Sequence, residues 1–268
     1  TPYDASRLGH LGYGASPDVL TSHELETMLL AGKVACPSNG RTPQRVVFIQ
    51  CAGSRDENHL RYCSSECCVN TLRQVSELKR IAPEISSAII HKDMRSPGLM
   101  EHFYLATQKN TGVMITRGEV SGVEANGKLK VKLQHSLLGD DVALDADLVV
   151  LATGMVPRSA DGERIRELID CRHQAEHSES SQVRETSAKR AAELVSHEGT
   201  EILHLGYRQG PDLPTLRYGF PDSHFICFPY ETRRTGIYAA GTVHAPMESV
   251  QAAEDGIGAA MKAVQCIE

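Results

Sequence analysis

The run Val46-Val47-Phe48-Ile49-Gln50, rich in β-branched and aromatic side chains, has the character of a buried strand, and it stops at a cysteine. Three more cysteines follow, so that Cys51, Cys63, Cys67 and Cys68 stand in the spacing C-x11-C-x3-C-C. In a nucleotide-binding strand–turn–helix unit, the turn after such a strand carries glycines that cradle a pyrophosphate. Here the turn carries thiols, and whatever fold surrounds it must accommodate four of them. Four soft thiolates meet the ligand requirement of an iron–sulfur cluster or of structural zinc. A place suited to a nucleotide is thereby read as an electron-transfer site.

Spacing alone leaves several uses of the thiols open. Cluster ligation accounts for all four. An all-cysteine zinc site usually shows two short knuckles, and this chain has one C-x3-C, yet a zinc-stabilised assembly module without catalysis is a reading from another class. A dithiol formed by Cys63 and Cys67 would make the chain a pyridine-nucleotide disulfide oxidoreductase, although the usual C-x-x-C is missing. Cys36, Cys171, Cys227 and Cys266 are scattered and read as small apolar residues. Adjacent Cys67 and Cys68 are poorly placed for a structural bridge, so a reducing, cytoplasmic compartment is expected.

Other classes are argued against. The 28 Lys and Arg against 34 Asp and Glu leave a mildly acidic chain without a basic stripe interleaved with aromatics, which speaks against a nucleic-acid partner. No run approaches 18 apolar residues, so any membrane association would be indirect, through partners. Thr1-Pro2-Tyr3-Asp4 is not a signal peptide and lacks an initiator Met, so a fragment or processed chain is expected. No Ser-His-Asp constellation or carboxylate pair presents itself for acid–base or nucleophilic work.

The hydrophobic pattern predicts α/β organisation. Residues 1–20 read as loop. Thr21-Ser22-His23-Glu24 is a capping box opening a helix to about Ala31. Residues 45–51 form a strand, 66–81 a helix with Val69, Leu72, Val75, Leu78 and Ile81 at three-residue steps, 86–91 a strand and 99–110 a helix. Val113–Arg117, Val120–Ala125, Lys128–Gln134 and Asp147–Ala152 are expected strands, with Asn126-Gly127 as a hairpin turn. The charged stretch 161–200 reads as a solvated helix or helical pair. Its His173, Glu176, His177 and Glu179 read as an exposed polar face rather than a metal site. Strand-like segments are expected over 201–235 and at Gly236–Gly241, then a small-residue helix to about Val264.

Two further signatures carry chemistry. Leu148-Val149-Val150-Leu151-Ala152 is a strand ending in Thr153-Gly154, and Ala240-Gly241-Thr242 precedes Pro246 and a helix containing Gln251. Glycine after a strand admits a ligand close to the backbone, and a following helix N-terminus offers unpaired N–H groups to phosphate or flavin.

Taken together, Cys51-Ala52-Gly53-Ser54-Arg55-Asp56, Tyr62-Cys63-Ser64-Ser65-Glu66-Cys67-Cys68, Asp93-Met94-Arg95, Ala152-Thr153-Gly154 and Ala240-Gly241-Thr242 with Pro246 resemble the heterodisulfide reductase A-like family of flavin and iron–sulfur subunits, including the related subunits of quinone-interacting membrane-bound oxidoreductase complexes. The resemblance implies a disulfide-reductase-like (FAD/NAD(P)-binding, Rossmann-type) α/β fold. Residues 1–40 would be a partial FAD-domain segment and linker, 41–155 an NAD(P)-binding-like inserted domain with the cysteines, and 156–268 the C-terminal part of the FAD domain. It implies FAD in the complete protein, held in part by Thr153, Gly154, Gly241, Thr242, Pro246 and Gln251. It also implies a [4Fe–4S] cluster on Cys51, Cys63, Cys67 and Cys68, and partner iron–sulfur or flavin subunits of a redox complex. The family's G-x-G-x-x-G is missing, and the chain reads as starting after about the first third of the flavin unit. Many disulfide reductases carry Asp after the final glycine, where this chain has Thr242. Arg55, His59 and Arg61 lie between ligands, where positive charge would raise a cluster's potential, or they belong to a solvated loop. Arg95 and Arg117 face flavin or cluster, or form surface ion pairs.

Overall fold

The computed structural model describes residues 1–195, 215–223 and 226–267, divided into two compact units, one of Pro2–Gly154 and one of Thr1 with Met155–Glu268.

The first unit is built on a seven-stranded sheet. Its elements in chain order are β1 (Val19–Thr21), α1 (Ser22–Leu30), β2 (Arg45–Ala52), α2 (Cys67–Ile81), β3 (Ser86–His91), α3 (Met100–Gln108), β4 (Val113–Glu124), β5 (Leu129–His135), β6 (Asp141–Ala146) and β7 (Leu148–Thr153). The strand order is β1-β7-β2-β3-β4-β5-β6. From β1 to β4 neighbours run parallel, with Val47 opposite both Ala88 and Val149; β4, β5 and β6 then form an antiparallel meander. Central parallel strands are covered on both faces, which is why Val46–Ile49 and Leu148–Leu151 are continuous apolar runs and wholly buried. Leu72, Val75 and Leu78 of α2 are fully buried against Val46, Phe48 and Ile89. The polar interruption in that helix, Gln74, donates its Nε2 to Ser22 C=O at 2.7 Å and to Glu26 at 3.0 Å, while its buried Oε1 has no hydrogen-bond partner among the described residues.

The expected elements are present with adjusted ends. The Thr21–Glu24 capping box forms in both directions. The two strands expected over 113–125 are one, pairing parallel with β3 through Arg117 and antiparallel with β5 from Gly118, with an irregularity between Val120 and Gly122 inside the antiparallel ladder. Two strands escaped the pattern. β1 is three residues long inside a Gly-punctuated loop, and β6 alternates weakly through Asp141-Val142-Ala143-Leu144-Asp145. Residues 2–40, expected as a separate segment, share a unit with the sheet because β1 pairs in register with β7 and α1 packs on the same core.

In the second unit, α4 (Gly162–His177) and α5 (Ser181–Val195) form the expected helical pair, packed through Leu168, Ala191 and Leu194 and tied by Arg190 to Glu167 at 2.7 Å. His173 and His177 stack at 4.5 Å on an exposed face. Much of the expected strand-like stretch, 201–214, lies outside the described residues. Gly236–Gly241 is not a strand. Thr232 N–H bonds to Ile237 C=O and Ala239 N–H to Tyr230 C=O, and the turn at Gly236 leaves a ladder too short to continue. A 3-10 turn at Gly241–Val243 leads to α6 (Ser249–Gln265).

Candidate redox site

The thiols are placed by three elements. Cys51 ends the core of β2, Cys63 sits in the following loop, and Cys67 and Cys68 open α2. The chain turns sharply after the strand, with Cys51 at φ +57° and Ser54 N–H bonding back to Cys51 C=O at 3.1 Å. It then folds as a narrow hairpin, Arg55 N–H to Tyr62 C=O and Leu60 N–H to Gly53 C=O, anchored by buried Leu60. Cys51, Arg55 and Ser65 all adopt the left-handed conformation, which costs a non-glycine residue on the order of 1–2 kcal/mol. Such strain accumulates where function holds it in place.

The thiols sense one another. Burial pushes the Cys67 thiol up to about 12, and the neighbouring charges of Cys51, Cys68 and Cys63 push the same way. Cys51 is raised by burial, then by Cys68, and drawn back by Arg55 and Lys92. Cys68 is raised by burial and by Cys63, and lowered by Arg55 and Arg95. Cys67 Sγ lies 3.5 Å from Thr153 C=O, Cys68 Sγ 3.9 Å from Asp93 C=O, and Ser65 N–H points at Cys63 Sγ at 3.4 Å. Raised thiols of this kind become thiolates only with a positive partner. The first-turn N–H groups of α2, which has no side-chain cap, supply part of one. Among the described residues, no three His, Cys, Asp or Glu side chains are gathered on a single-ion site. A cubane cluster takes one thiolate at each iron corner and does not require its ligand sulfurs to meet at a point, as zinc does. The donor set fits such a cluster. Arg55 adds a second sign of fit, since its buried Nη1 has no hydrogen-bond partner among the described residues.

The remaining predicted residues fall in two places. Thr153 and Gly154 close β7 beside the cysteine loop. A side chain at Gly154 would collide with Ser54 and Ser64, and its C=O accepts from Tyr3 N–H at 2.6 Å. Gly241, Thr242, Pro246 and Gln251 belong to the second unit. Gly241 has φ +66°, Thr242 is exposed, and Gln251 caps α6 by accepting from Glu248 N–H at 3.4 Å.

Sequence reading missed two arrangements. Asp93 grips Arg55 at 2.7 Å and Arg117 at 3.4 Å, and an acidic residue just beyond a parallel strand was the available sign. In the second unit, contrary to expectation, Ser223 Oγ lies 3.3 Å from His244 Nε2 and His244 Nδ1 lies 3.2 Å from Asp255 Oδ2. Asp255 also accepts Gly241 N–H at 2.8 Å, tying the 3-10 turn to α6. No local motif links positions that far apart in the chain, so nothing in the pattern announced them.

A parallel sheet flanked by helices and a meander, with thiols at the turn where a phosphate loop would stand, defines a Rossmann-like α/β unit. No family model matches the chain. It is 31% identical over 271 residues to the A subunit of the H(2):CoB-CoM heterodisulfide,ferredoxin reductase of Methanothermobacter marburgensis, across 97% of this chain and 35% of that protein. It is 34% identical over 223 residues to the iron-sulfur A subunit of the CoB–CoM heterodisulfide reductase of Methanocaldococcus jannaschii, across 79% of this chain and 33% of that protein. The chain belongs to the heterodisulfide reductase A-like family, and spans about a third of the length of these curated relatives. Among solved structures, it resembles T. acidophilum thioredoxin reductase at 17% identity and a TM-score of 0.47, over 100% of this chain and 64% of that one.

Proposed function

We propose that this chain is part of a flavin and iron–sulfur electron-transfer subunit of an oxidoreductase complex, with Cys51, Cys63, Cys67 and Cys68 holding a [4Fe–4S] cluster. The observation that carries the reading is the placement of four free cysteines by one strand end, the loop after it and the first turn of the next helix, with Arg55 of that loop held beside them by Asp93. When bound, the cluster supplies single-electron steps and FAD supplies exchange between paired and single electrons. The chain's own residues position and tune: the β2 turn and the start of α2 fix the ligands, Leu60 excludes water behind them, and Arg55 offsets their charge. Residues 41–155 serve as the inserted domain and 156–268 as part of the flavin domain. Thr153 and Gly154 of the first unit, and Gly241, Thr242, Pro246 and Gln251 of the second, are the residues that would hold FAD. Electrons pass to partner iron–sulfur subunits in the cytoplasm, and any membrane is reached through partners. Among the described residues, no helix is long and apolar enough to cross one.

Iron, acid-labile sulfide and zinc, counted on protein purified without oxygen, test this. About four iron and four sulfide per chain are expected, lost in Cys67→Ser. One zinc without iron would replace the reading with a structural module.

A further inference from the structure

Asp93 stands just beyond β3, beside the cysteine turn. One carboxylate oxygen accepts from Arg55 Nη2 at 2.7 Å and the other lies 3.4 Å from Arg117 Nη2, while its backbone C=O is the partner of Cys68 Sγ at 3.9 Å. Lys92, its neighbour, reaches Arg55 C=O at 3.4 Å and Glu119 at 3.3 Å. Arg55 is therefore held at both ends, its backbone by Tyr62 and Lys92 and its guanidinium by Asp93. The side chain of Arg55 is 23% exposed against 47% for Asp93, so the cation faces inward and its clasp faces water. With one edge of the fork occupied, the other edge keeps the unpartnered, buried Nη1. Cys51 and Cys68 are the thiols whose charge this guanidinium favours, so held this way it would present an N–H and a fixed positive charge to ligand sulfur. Hydrogen bonds to sulfur and positive charge both favour the more negative, reduced state of an iron–sulfur centre.

We propose that Asp93 is a positioning residue: by clasping Arg55 it holds the guanidinium against the Cys51–Cys68 side of the site and so raises the reduction potential there. The inference rests on the cluster reading above. Its sign separates it from simple electrostatics. Removal of a carboxylate near a redox centre, acting directly, raises the potential. Release of Arg55 lowers it.

The test is a double-mutant cycle on the complete protein purified without oxygen, with iron and sulfide counted and the midpoint potential read by an equilibrium redox titration. Arg55→Gln lowers the potential with four iron retained. Asp93→Ala lowers it in the wild-type background, and in the Arg55→Gln background leaves it unchanged or raises it. Asp93→Glu, which keeps a carboxylate for the fork, restores the wild-type value. If Asp93→Ala loses iron, Asp93→Asn, which keeps one acceptor, completes the same cycle. Equal shifts from the Asp93 substitution in both backgrounds mean no coupling and overturn the proposal. Wild-type protein without iron overturns the cluster reading itself, and the clasp proposal with it.

Discussion

A methyl group at position 154 would stand 2.0 Å from Ser54 Oγ, 2.7 Å from Ser64 Oγ and 3.0 Å from a methyl of Leu60. All three belong to the cysteine loop, and Ser54 and Ser64 are themselves buried and lie 3.2 Å apart. Gly154, read in sequence as a glycine that lets a ligand approach, is therefore used at least in part to let the chain's own loop approach. Glycine after a strand signals close approach without naming what approaches. Gly154→Ala should destabilise the first unit by about 1–3 kcal/mol, since neither serine can move without displacing the turn. The check is the denaturant midpoint, read beside the rate at which a thiol reagent labels the four cysteines. Loss of stability with unchanged labelling would mean that the loop does not depend on this contact.

At the scale of elements, legibility followed the strength of the local physics. Helix α1 was readable because Thr21 and Glu24 satisfy one another's neighbourhood reciprocally: Thr21 Oγ1 accepts from Glu24 N–H at 3.2 Å and Glu24 Oε2 from Thr21 N–H at 2.7 Å. Thr21→Ala removes the first bond and should cost about 1 kcal/mol, measured as a shift in unfolding midpoint with the m-value unchanged. β2, α2, β3 and β7 were equally readable, because their apolar runs match the period of the element they form. β1 and β6 were not. β1 pairs with Val149–Leu151, far along the chain, and no local pattern announces such a partner; β6 pairs with the adjacent β5 across a hairpin, but its own alternation is too weak to mark it. Gly236–Gly241 erred in the opposite sense, since its apolar residues satisfy a loop. Of the site, the thiols were visible as a spacing. The Asp93 clasp and the Ser223–His244–Asp255 chain were not, because each joins side chains from separate elements.

At the scale of the molecule, the described residues of the two units differ in how much they bury. The sheet unit has a continuous core in which Val46, Phe48, Leu72, Ile89, Leu148 and Val150 are essentially inaccessible. Among the described residues, the helical pair of the second unit closes on Leu168, Ala191 and Leu194, with Cys171 at its margin, and is tied further by Arg164 to Leu194 C=O, by Ser187 to Gln174 and by the surface ion pair Arg190–Glu167. Exposed ion pairs contribute about 0–1 kcal/mol each, whereas a fully buried aliphatic or aromatic side chain contributes about 1.5–3 kcal/mol. Opening free energy should therefore be distributed unevenly along the chain. Native-state hydrogen exchange is expected to show its slowest amides in Val46–Ile49, Ile89–Ile90 and Leu148–Leu151, and amides of α4 and α5 exchanging through smaller openings at lower denaturant. The Asp93 clasp sits at the carboxyl end of those slowest strands, so its geometry is held by the most resistant part of the fold. Uniform protection across both units would contradict this, and would mean that α4 and α5 share the cooperative unfolding of the sheet despite their small core.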